Sequence, residues 1–184
     1  MTRDEALALR HRADLIASPD QCRAAVSAVA GALTTRVGDR FPLVLMVMRG
    51  ASVFCGQLLP QLDFPLELDY IHATRYGNET RGSHISWRVE PREEVTGRTV
   101  VVVDDILDEG LTLAAIREVL IAKGAAEVLI AVFCEKVLPR AKPVAADFVG
   151  LQVPDRYVFG YGMDVHGVWR NLPSIHALRE EGNS

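Results

Sequence analysis

The chain has 184 residues, of which 49% are hydrophobic and 24% are charged, and its formal net charge at pH 7 is −4. This composition is typical of a globular, water-soluble domain that buries a full hydrophobic core. Its apolar runs fall short of the ~20 residues that a membrane span needs, and its negative charge argues against a general nucleic-acid binder.

The N-terminal segment is charged throughout and has no apolar stretch, so we expect no secretory signal. The cysteines Cys22, Cys55 and Cys134 are odd in number and widely spaced, which matches neither a disulfide framework nor a zinc site. We therefore predict three reduced, buried thiols in a cytoplasmic protein.

The first predicted elements are helices. A short helix is predicted over residues 3–14. A second helix is predicted to begin after Ser18, which can act as its N-cap. Pro19 suits the first helical position, and Gln21 completes a capping box with Ser18. The apolar periodicity of this second helix stops near Gly38.

Strands and helices then alternate. The apolar run 42–48 predicts a buried strand, and a helix is predicted over 52–59. The alternating segment 65–73 predicts a strand, the polar segment 74–83 a loop, and 84–89 a strand that borders this loop. Buried strands are predicted over 99–103 and 127–134, separated by a helix over 111–123 that ends at Gly124.

This order predicts an α/β fold with a mostly parallel twisted sheet and helices on both faces. After Pro139 the pattern becomes irregular, with further prolines and several glycines. We predict a single domain over 1–184, with a core at about 36–142 and a small hood formed by about 1–35 and 143–184.

The four valines at 100–103 lead directly into two adjacent carboxylates, Asp104 and Asp105. Ligands of open α/β sheets bind at the carboxyl ends of strands, and adjacent carboxylates there repel each other unless a cation or sugar hydroxyls intervene. The loop that follows, with Gly110 and Thr112, leads into a helix whose first amides can bind an anion. The segment therefore predicts a site for a phosphorylated ribose.

Four motifs in order resemble the type I phosphoribosyltransferases. VVVDDILDEGLT at 101–112 resembles their motif for phosphoribosyl diphosphate (PRPP). The likeness to the hypoxanthine-guanine branch extends over about 43–172. MRGA at 48–51 resembles the pyrophosphate loop, which in relatives contains a non-proline cis peptide. EKVLPR at 135–140 and VPDRYVFGYGMDVHGVWRNL at 153–172 resemble the purine-binding segments.

The resemblance implies transfer of a 5-phosphoribosyl group from PRPP to a purine, with Mg²⁺ as the cofactor. It implies that Asp108 takes the proton from purine N7, that Lys136 donates to the 6-oxo group, and that Tyr157 and Val158 contact the base. The residues implied to contact PRPP are Arg49, Gly50, Asp104, Asp105, Glu109, Gly110, Leu111, Thr112, Arg140 and Arg170. Those implied to lie in the metal shell are Asp104, Asp105 and Asp164. The segment 74–83, with Tyr76, resembles the mobile flap.

The chain departs from the family pattern at three positions. Arg49 stands where lysine is more common, Glu109 where threonine is usual, and Arg75 where serine is usual. Because a carboxylate repels a phosphate, we expect the Glu109 side chain to point outward while its amide still donates.

The expected bases are hypoxanthine and guanine, since Lys136 would meet the 6-amino group of adenine donor to donor. A preference for xanthine stays open. A PRPP-sensing RNA-binding regulator on the same fold is disfavoured by the net charge of −4, and an inactive interaction module by Asp108, Lys136 and Arg140. The resemblance further implies a homodimer or homotetramer. The charge and composition predict that neither nucleic acid nor a membrane is a partner.

Overall fold

The computed structural model describes residues 1–75, 85–91 and 94–179. Its helices are α1 (Arg3–His11), α2 (Pro19–Val37), α3 (Ser52–Leu58) and α4 (Leu111–Ala122), with a 3-10 turn at Leu59–Gln61. Its strands are β1 (Asp14–Ala17), β2 (Leu43–Val47), β3 (Glu67–Arg75), β4 (Ile85–Val89), β5 (Thr99–Leu107), β6 (Glu127–Lys136), β7 (Phe148–Val153), β8 (Val158–Phe159) and β9 (Ile175–Ala177).

The large sheet has six strands in the order β4-β3-β2-β5-β6-β7. Its neighbours are parallel, except that β4 runs antiparallel to β3 at one edge. Val101 and Val103 of β5 pack on the face that α2 and α3 cover. Val100 and Val102 pack on the opposite face, against α4. The predicted α/β fold with helices on both faces is therefore confirmed.

The helix starts follow the local sequence closely. Ser18 and Gln21 form the predicted capping box at the start of α2, and Gly38 caps its end. Helix α1 also begins with a capping box, formed by Thr2 and Glu5, but it ends at His11 rather than at residue 14. The reason is that Asp14 begins β1, which pairs with β9 from the far end of the chain.

Three strands of the large sheet end later than predicted, and the first of them, β3, continues past residue 73 to Arg75. Strand β5 continues past Val103 to Leu107, and β6 continues past Cys134 to Lys136. The two strands pair as far as Leu107 and Glu135, because backbone hydrogen bonds form whether the side chains are apolar or charged. Asp104 and Asp105 therefore lie within the C-terminal half of β5 and not after the strand.

Two elements outside the predicted core at about 36–142 contact the large sheet. Strand β7 lies beyond the predicted core boundary near 142, yet it pairs in parallel with β6 in the large sheet. Helix α2 belongs to the predicted hood segment, but it packs on the large sheet through Val26, Val29 and Leu33. The sequence after Pro139 obscured β7 because its segment FVGLQV is short and is interrupted by Gly150 and Gln152.

A small antiparallel sheet, with strands in the order β1-β9-β8, lies beside the large one. The apolar side chains of Phe159, Val165 and Leu172 pack there with Leu9 and Trp169. The predicted flap falls largely outside the described residues: β3 includes residues 74–75, while Tyr76, Gly77 and Gly82 are not described. Over the described parts of the chain, no helix has both the length and the apolar character needed to cross a bilayer.

Candidate active site

A cavity of about 440 Å³ opens at the carboxyl end of the large sheet. Its walls come from the turn after β2, the end of β5, the first turn of α4 and the segment between β8 and β9. The predicted site residues among its lining are Arg49, Gly50, Asp104, Asp105, Asp108, Glu109, Gly110, Leu111, Thr112, Asp164 and Arg170. Residues more than a hundred positions apart thus meet around one space.

Asp104 and Asp105 form the acidic wall of this first cavity. The backbone N–H of Asp105 donates to Oδ1 of Asp104 at 2.9 Å. Burial, and then the charge of Asp105, raises the pKa of Asp104 well above its usual value. Burial also raises the pKa of Asp105, against the lowering effects of Asp104 and Arg170. The pair therefore holds two negative charges poorly by itself and favours a cation beside it.

Arg170 and Asp164 reach this cavity from the hood as a linked pair. The Arg170 guanidinium forms an ion pair with the Asp164 carboxylate and donates to the Gly162 carbonyl at 2.6 Å. Asp164 also accepts from the Gly167 amide at 2.7 Å. Arg170 Nη1 lies 4.0 Å from Oδ2 of Asp105. The guanidinium is thus fixed beside the acidic wall, in the orientation that an anionic ligand in the cavity would meet.

Close backbone approaches shape the loop after β2. The Met48–Arg49 peptide bond is cis, as expected for the pyrophosphate loop. A Cβ atom built on Gly50 would lie 1.9 Å from Oδ2 of Asp105. A Cβ atom on Gly162, whose φ is +106°, would lie 2.1 Å from the carbonyl oxygen of Gly50. Glycine is therefore required at both positions for three separate segments to meet at Asp105.

The N-terminus of α4 forms the opposite wall. Gly110 has a φ of +80° and precedes the helix without a side-chain cap. The first backbone N–H groups of α4 therefore donate to no capping side chain. Such amides, together with the helix dipole, favour an anion.

A second cavity, of about 220 Å³, adjoins the first and shares Asp105, Asp108 and Asp164 with it. Its other predicted residues are Lys136, Tyr157 and Val158. Lys136 Nζ lies 2.8 Å from Oδ2 of Asp108 and 3.9 Å from Oδ1 of Asp155. Tyr157 is 52% exposed and lines this cavity, so its ring is accessible to a ligand there. A hydrogen-bond donor and an acceptor thus stand side by side next to an aromatic ring.

The sequence analysis missed two residues of this second cavity, Ile106 and Met163. Ile106 could have been found once β5 was known to continue past Asp105, because alternate residues of a strand share a face. Met163 lies next to Asp164 and carries no chemical feature that would single it out.

Arg140 and Glu109 form an ion pair, with Arg140 Nη2 2.5 Å from Glu109 Oε1. Arg140 lines a third cavity of about 310 Å³ on the far side of Lys136, whereas Glu109 lines the first. The Glu109 side chain is 55% exposed, and its orientation relative to a bound phosphate stays a prediction. A contact of Arg140 with PRPP stays a prediction, since Glu109 occupies its guanidinium in this structure.

Carboxylates line the first cavity and could contribute to a metal site. Among the described residues, no group of three or more histidines, cysteines or carboxylates could hold a metal ion. Mg²⁺ needs no such cluster, because it retains several waters and binds through one or two carboxylates together with substrate phosphates. The adjacent Asp104 and Asp105 suit that mode of binding.

An acidic strand end, a helix N-terminus and an arginine around one cavity of a parallel sheet define a sugar-phosphate-binding α/β protein. Comparison with known proteins narrows this class. A family model described as "Phosphoribosyl transferase domain" matches residues 20–166.

A hypoxanthine-guanine phosphoribosyltransferase of Bacillus subtilis is 34% identical over 90% of this chain and 92% of its own. A hypoxanthine-guanine-xanthine phosphoribosyltransferase of Tritrichomonas foetus is also 34% identical, over 88% of each chain. A solved structure of a hypoxanthine-guanine-xanthine phosphoribosyltransferase superposes with a TM-score of 0.82 at 32% identity, covering 91% of this chain and 97% of that one. The chain therefore belongs to the hypoxanthine-guanine phosphoribosyltransferase family of enzymes.

Proposed function

We propose that this enzyme acts in purine salvage, transferring the 5-phosphoribosyl group of PRPP to hypoxanthine or guanine. The products would be IMP or GMP and pyrophosphate. The observation that carries the proposal is the pair of adjoining cavities that share Asp105, Asp108 and Asp164. One cavity has the acids, amides and arginine that a sugar diphosphate needs, and the other has the donor and acceptor that an oxopurine needs.

The first cavity would hold PRPP in three parts. The amides of residues 109–112 would receive the 5-phosphate, and Asp104 and Asp105 would accept hydrogen bonds from the ribose hydroxyls. The Gly50 loop and Arg170 would face the pyrophosphate. As the glycosidic bond breaks, negative charge grows on the leaving group, and Arg170 is held in advance to stabilise it.

The second cavity would hold the purine. Hypoxanthine and guanine present the N7 proton and the 6-oxo group side by side, which complements Asp108 as acceptor and Lys136 as donor. Lys136 and Asp108 lie 2.8 Å apart, so both groups could reach neighbouring atoms of one base. Asp108 would take the N7 proton as the new bond to the sugar forms. Tyr157 would stack on the ring, and the backbone of Val158 would contact its edge.

We propose Mg²⁺ as the cofactor, with Asp104 and Asp105 in its shell and Asp164 near a second position. The burial and mutual repulsion of the two adjacent acids support this, because a divalent cation would relieve both. When bound, Mg²⁺ would neutralise charge on the diphosphate of PRPP.

The test is a panel of four bases, hypoxanthine, guanine, xanthine and adenine, each supplied with PRPP and Mg²⁺. We expect IMP and GMP as the main products, and no AMP, because Lys136 would oppose a 6-amino group. The xanthine arm is included because two similar proteins carry xanthine in their names. A protein that converts neither hypoxanthine nor guanine would refute the proposal.

A pair of variants tests the role of Asp108. Asp108→Asn should lower turnover while leaving the affinity for PRPP largely intact, because the amide cannot accept the N7 proton. Asp39→Asn is the control, since Asp39 is 92% exposed and lies outside the cavities. A fully active Asp108→Asn enzyme would remove Asp108 from its role as the base.

A further inference from the structure

Lys142 lies between β6 and β7, and its side chain is only 10% exposed. Its ammonium group donates to three acceptors: the carbonyl of Leu107 at 3.1 Å, the carbonyl of Lys136 at 2.6 Å, and Oε1 of Glu135 at 2.9 Å. An ammonium group has three N–H donors. All three are therefore used within the protein, and Lys142 has none left for a substrate.

The three acceptors belong to the strand ends that carry the purine-binding groups. Leu107 directly precedes Asp108, and the carbonyl of Lys136 belongs to the residue that would bind the 6-oxo group. Leu107 and Glu135 are the last paired residues of β5 and β6. Lys142 thus joins the two strands at the point where their backbone pairing ends.

The base of the same side chain also supports the phosphate loop. A Cβ atom built on Gly110 would lie 3.5 Å from Cβ of Lys142 and 3.2 Å from Cγ1 of Val144. The loop from Leu107 to Gly110 is therefore packed against the segment 142–144 and is hydrogen-bonded to it at Leu107. Asp108 lies in the middle of this supported loop.

The charged groups around Lys142 form two separate ion pairs. Lys142 pairs with Glu135 at 2.9 Å, and Lys136 pairs with Asp108 at 2.8 Å. Glu135 and Lys136 are adjacent in a strand, so their side chains leave opposite faces of the sheet. Glu135 therefore cannot replace Asp108 as the partner of Lys136. The ion pair between Lys136 and Asp108 depends on the relative position of the two strand ends.

We propose that Lys142 is a positioning residue for phosphoribosyl transfer, which fixes Asp108 and Lys136 relative to each other and to the phosphate loop. The expected effect on kcat/KM rests on the proposed function. The structural consequence, a fixed loop at 107–112, does not depend on the substrate.

The central variant is Lys142→Met, which keeps the length of the side chain and removes its donors. We expect kcat/KM for hypoxanthine to fall by about 10²-fold, the loss typical of a misplacement near 1 Å. Backbone amides of residues 107–112 should exchange faster with deuterium in the unliganded protein. Lys123→Met is the matched control, because Lys123 is an exposed lysine that pairs with Glu90, and it should leave both measurements unchanged.

The double variant Glu135→Gln/Lys142→Met separates positioning from stability. Removing the carboxylate relieves the charge left unpaired by Lys142→Met, so the thermal unfolding midpoint should recover. Activity should stay low, because neither side chain then holds Leu107 and Lys136 together. Recovery of activity together with stability would overturn the inference, as would a wild-type kcat/KM in the single variant. If the wild-type protein made no nucleotide, the proposed function would fail, and unchanged exchange at 107–112 would still refute the role of Lys142.

Discussion

Replacing Gly50 with alanine puts a methyl group where the Asp105 carboxylate lies. The added carbon would be 1.9 Å from Oδ2 and 2.3 Å from Cγ of Asp105, whereas ordinary contacts begin at 3.4 Å. One of the two groups must therefore move by about 1.5 Å, the difference between the observed and the ordinary distance to Oδ2. The loop is restrained by Gly162, whose backbone packs against the carbonyl of Gly50, so we expect the carboxylate to move.

The size of the effect follows from this displacement. A misplacement near 1 Å at a reacting centre lowers rates by about 10²-fold, which corresponds to ~2.7 kcal/mol of lost transition-state stabilisation. We therefore expect Gly50→Ala to lower kcat/KM for PRPP by about 10²-fold. The cost in folding stability should be about 1–3 kcal/mol, as for other overpacked sites, and most of the enzyme should remain folded because the end of one side chain can rotate.

The assay is steady-state kinetics with PRPP as the varied substrate, together with chemical denaturation of the same preparations. Gly56→Ala is the matched control. Gly56 lies within α3 and has no heavy atom within 4 Å of an added Cβ. Alanine there should stabilise the fold by ~0.5–1 kcal/mol and leave the kinetics unchanged.

Wild-type kinetics for a folded Gly50→Ala enzyme would refute the reasoning. In that case either Asp105 does not contact the sugar, or its carboxylate does not need the position that the structure gives it. A loss of activity that matches the loss of folded protein would also count against the argument, because it predicts a kinetic defect in enzyme that is still folded.

Three further predictions concern charge and metal. Asp104→Asn should abolish activity but raise the free energy of unfolding of the unliganded protein near pH 7. Burial and the charge of Asp105 raise the folded pKa of Asp104 well above its ordinary value of 3.8, so ionisation of this carboxyl costs stability at higher pH. Because that cost disappears below pH 3.8, denaturation at pH 7 and pH 3 should show the advantage at pH 7 alone. Burial also raises the pKa of the Cys22 and Cys55 thiols from 9.0 to about 11. These thiols should resist a disulfide reagent at pH 8 until denaturant is added, and rapid labelling of the folded protein would contradict their burial. The free energy of unfolding should fall as the pH rises from 9 towards 11, because the thiols of the unfolded chain ionise first. A chelator should abolish transfer and added Mg²⁺ should restore it, whereas persistent activity would remove the metal from the mechanism.

Much of the architecture could be predicted because its causes are local. The capping box at Ser18 and Gln21 and the proline between them set the start of α2 within neighbouring residues. The valine run at 100–103 indicated a strand covered on both faces, which the structure confirms. Asp104, Asp105 and the phosphate loop are consecutive in the chain, so their common place at one strand end followed from the strand itself.

The ends of the strands could not be predicted, because charged residues hid them. Lys136 was expected just after a strand, but it is the last residue of β6, held there by pairing with β7. Strand β7 is short and is interrupted by Gly150 and Gln152, and its place in the sheet depends on pairing with β6 and packing against α2. Pairing of this kind uses backbone groups and leaves little trace in residue type.

The sequence by itself determined the class of fold, the acidic strand end and the glycine-containing loop before α4, since each depends on residues that are close along the chain. Only the tertiary structure decided that Gly50 and Gly162 meet at Asp105. It also decided that Glu109 forms an ion pair with Arg140, and that Lys142 is hydrogen-bonded to the ends of β5 and β6. Those contacts link residues that are distant in the chain, and they depend on how whole elements pack, which no local pattern encodes.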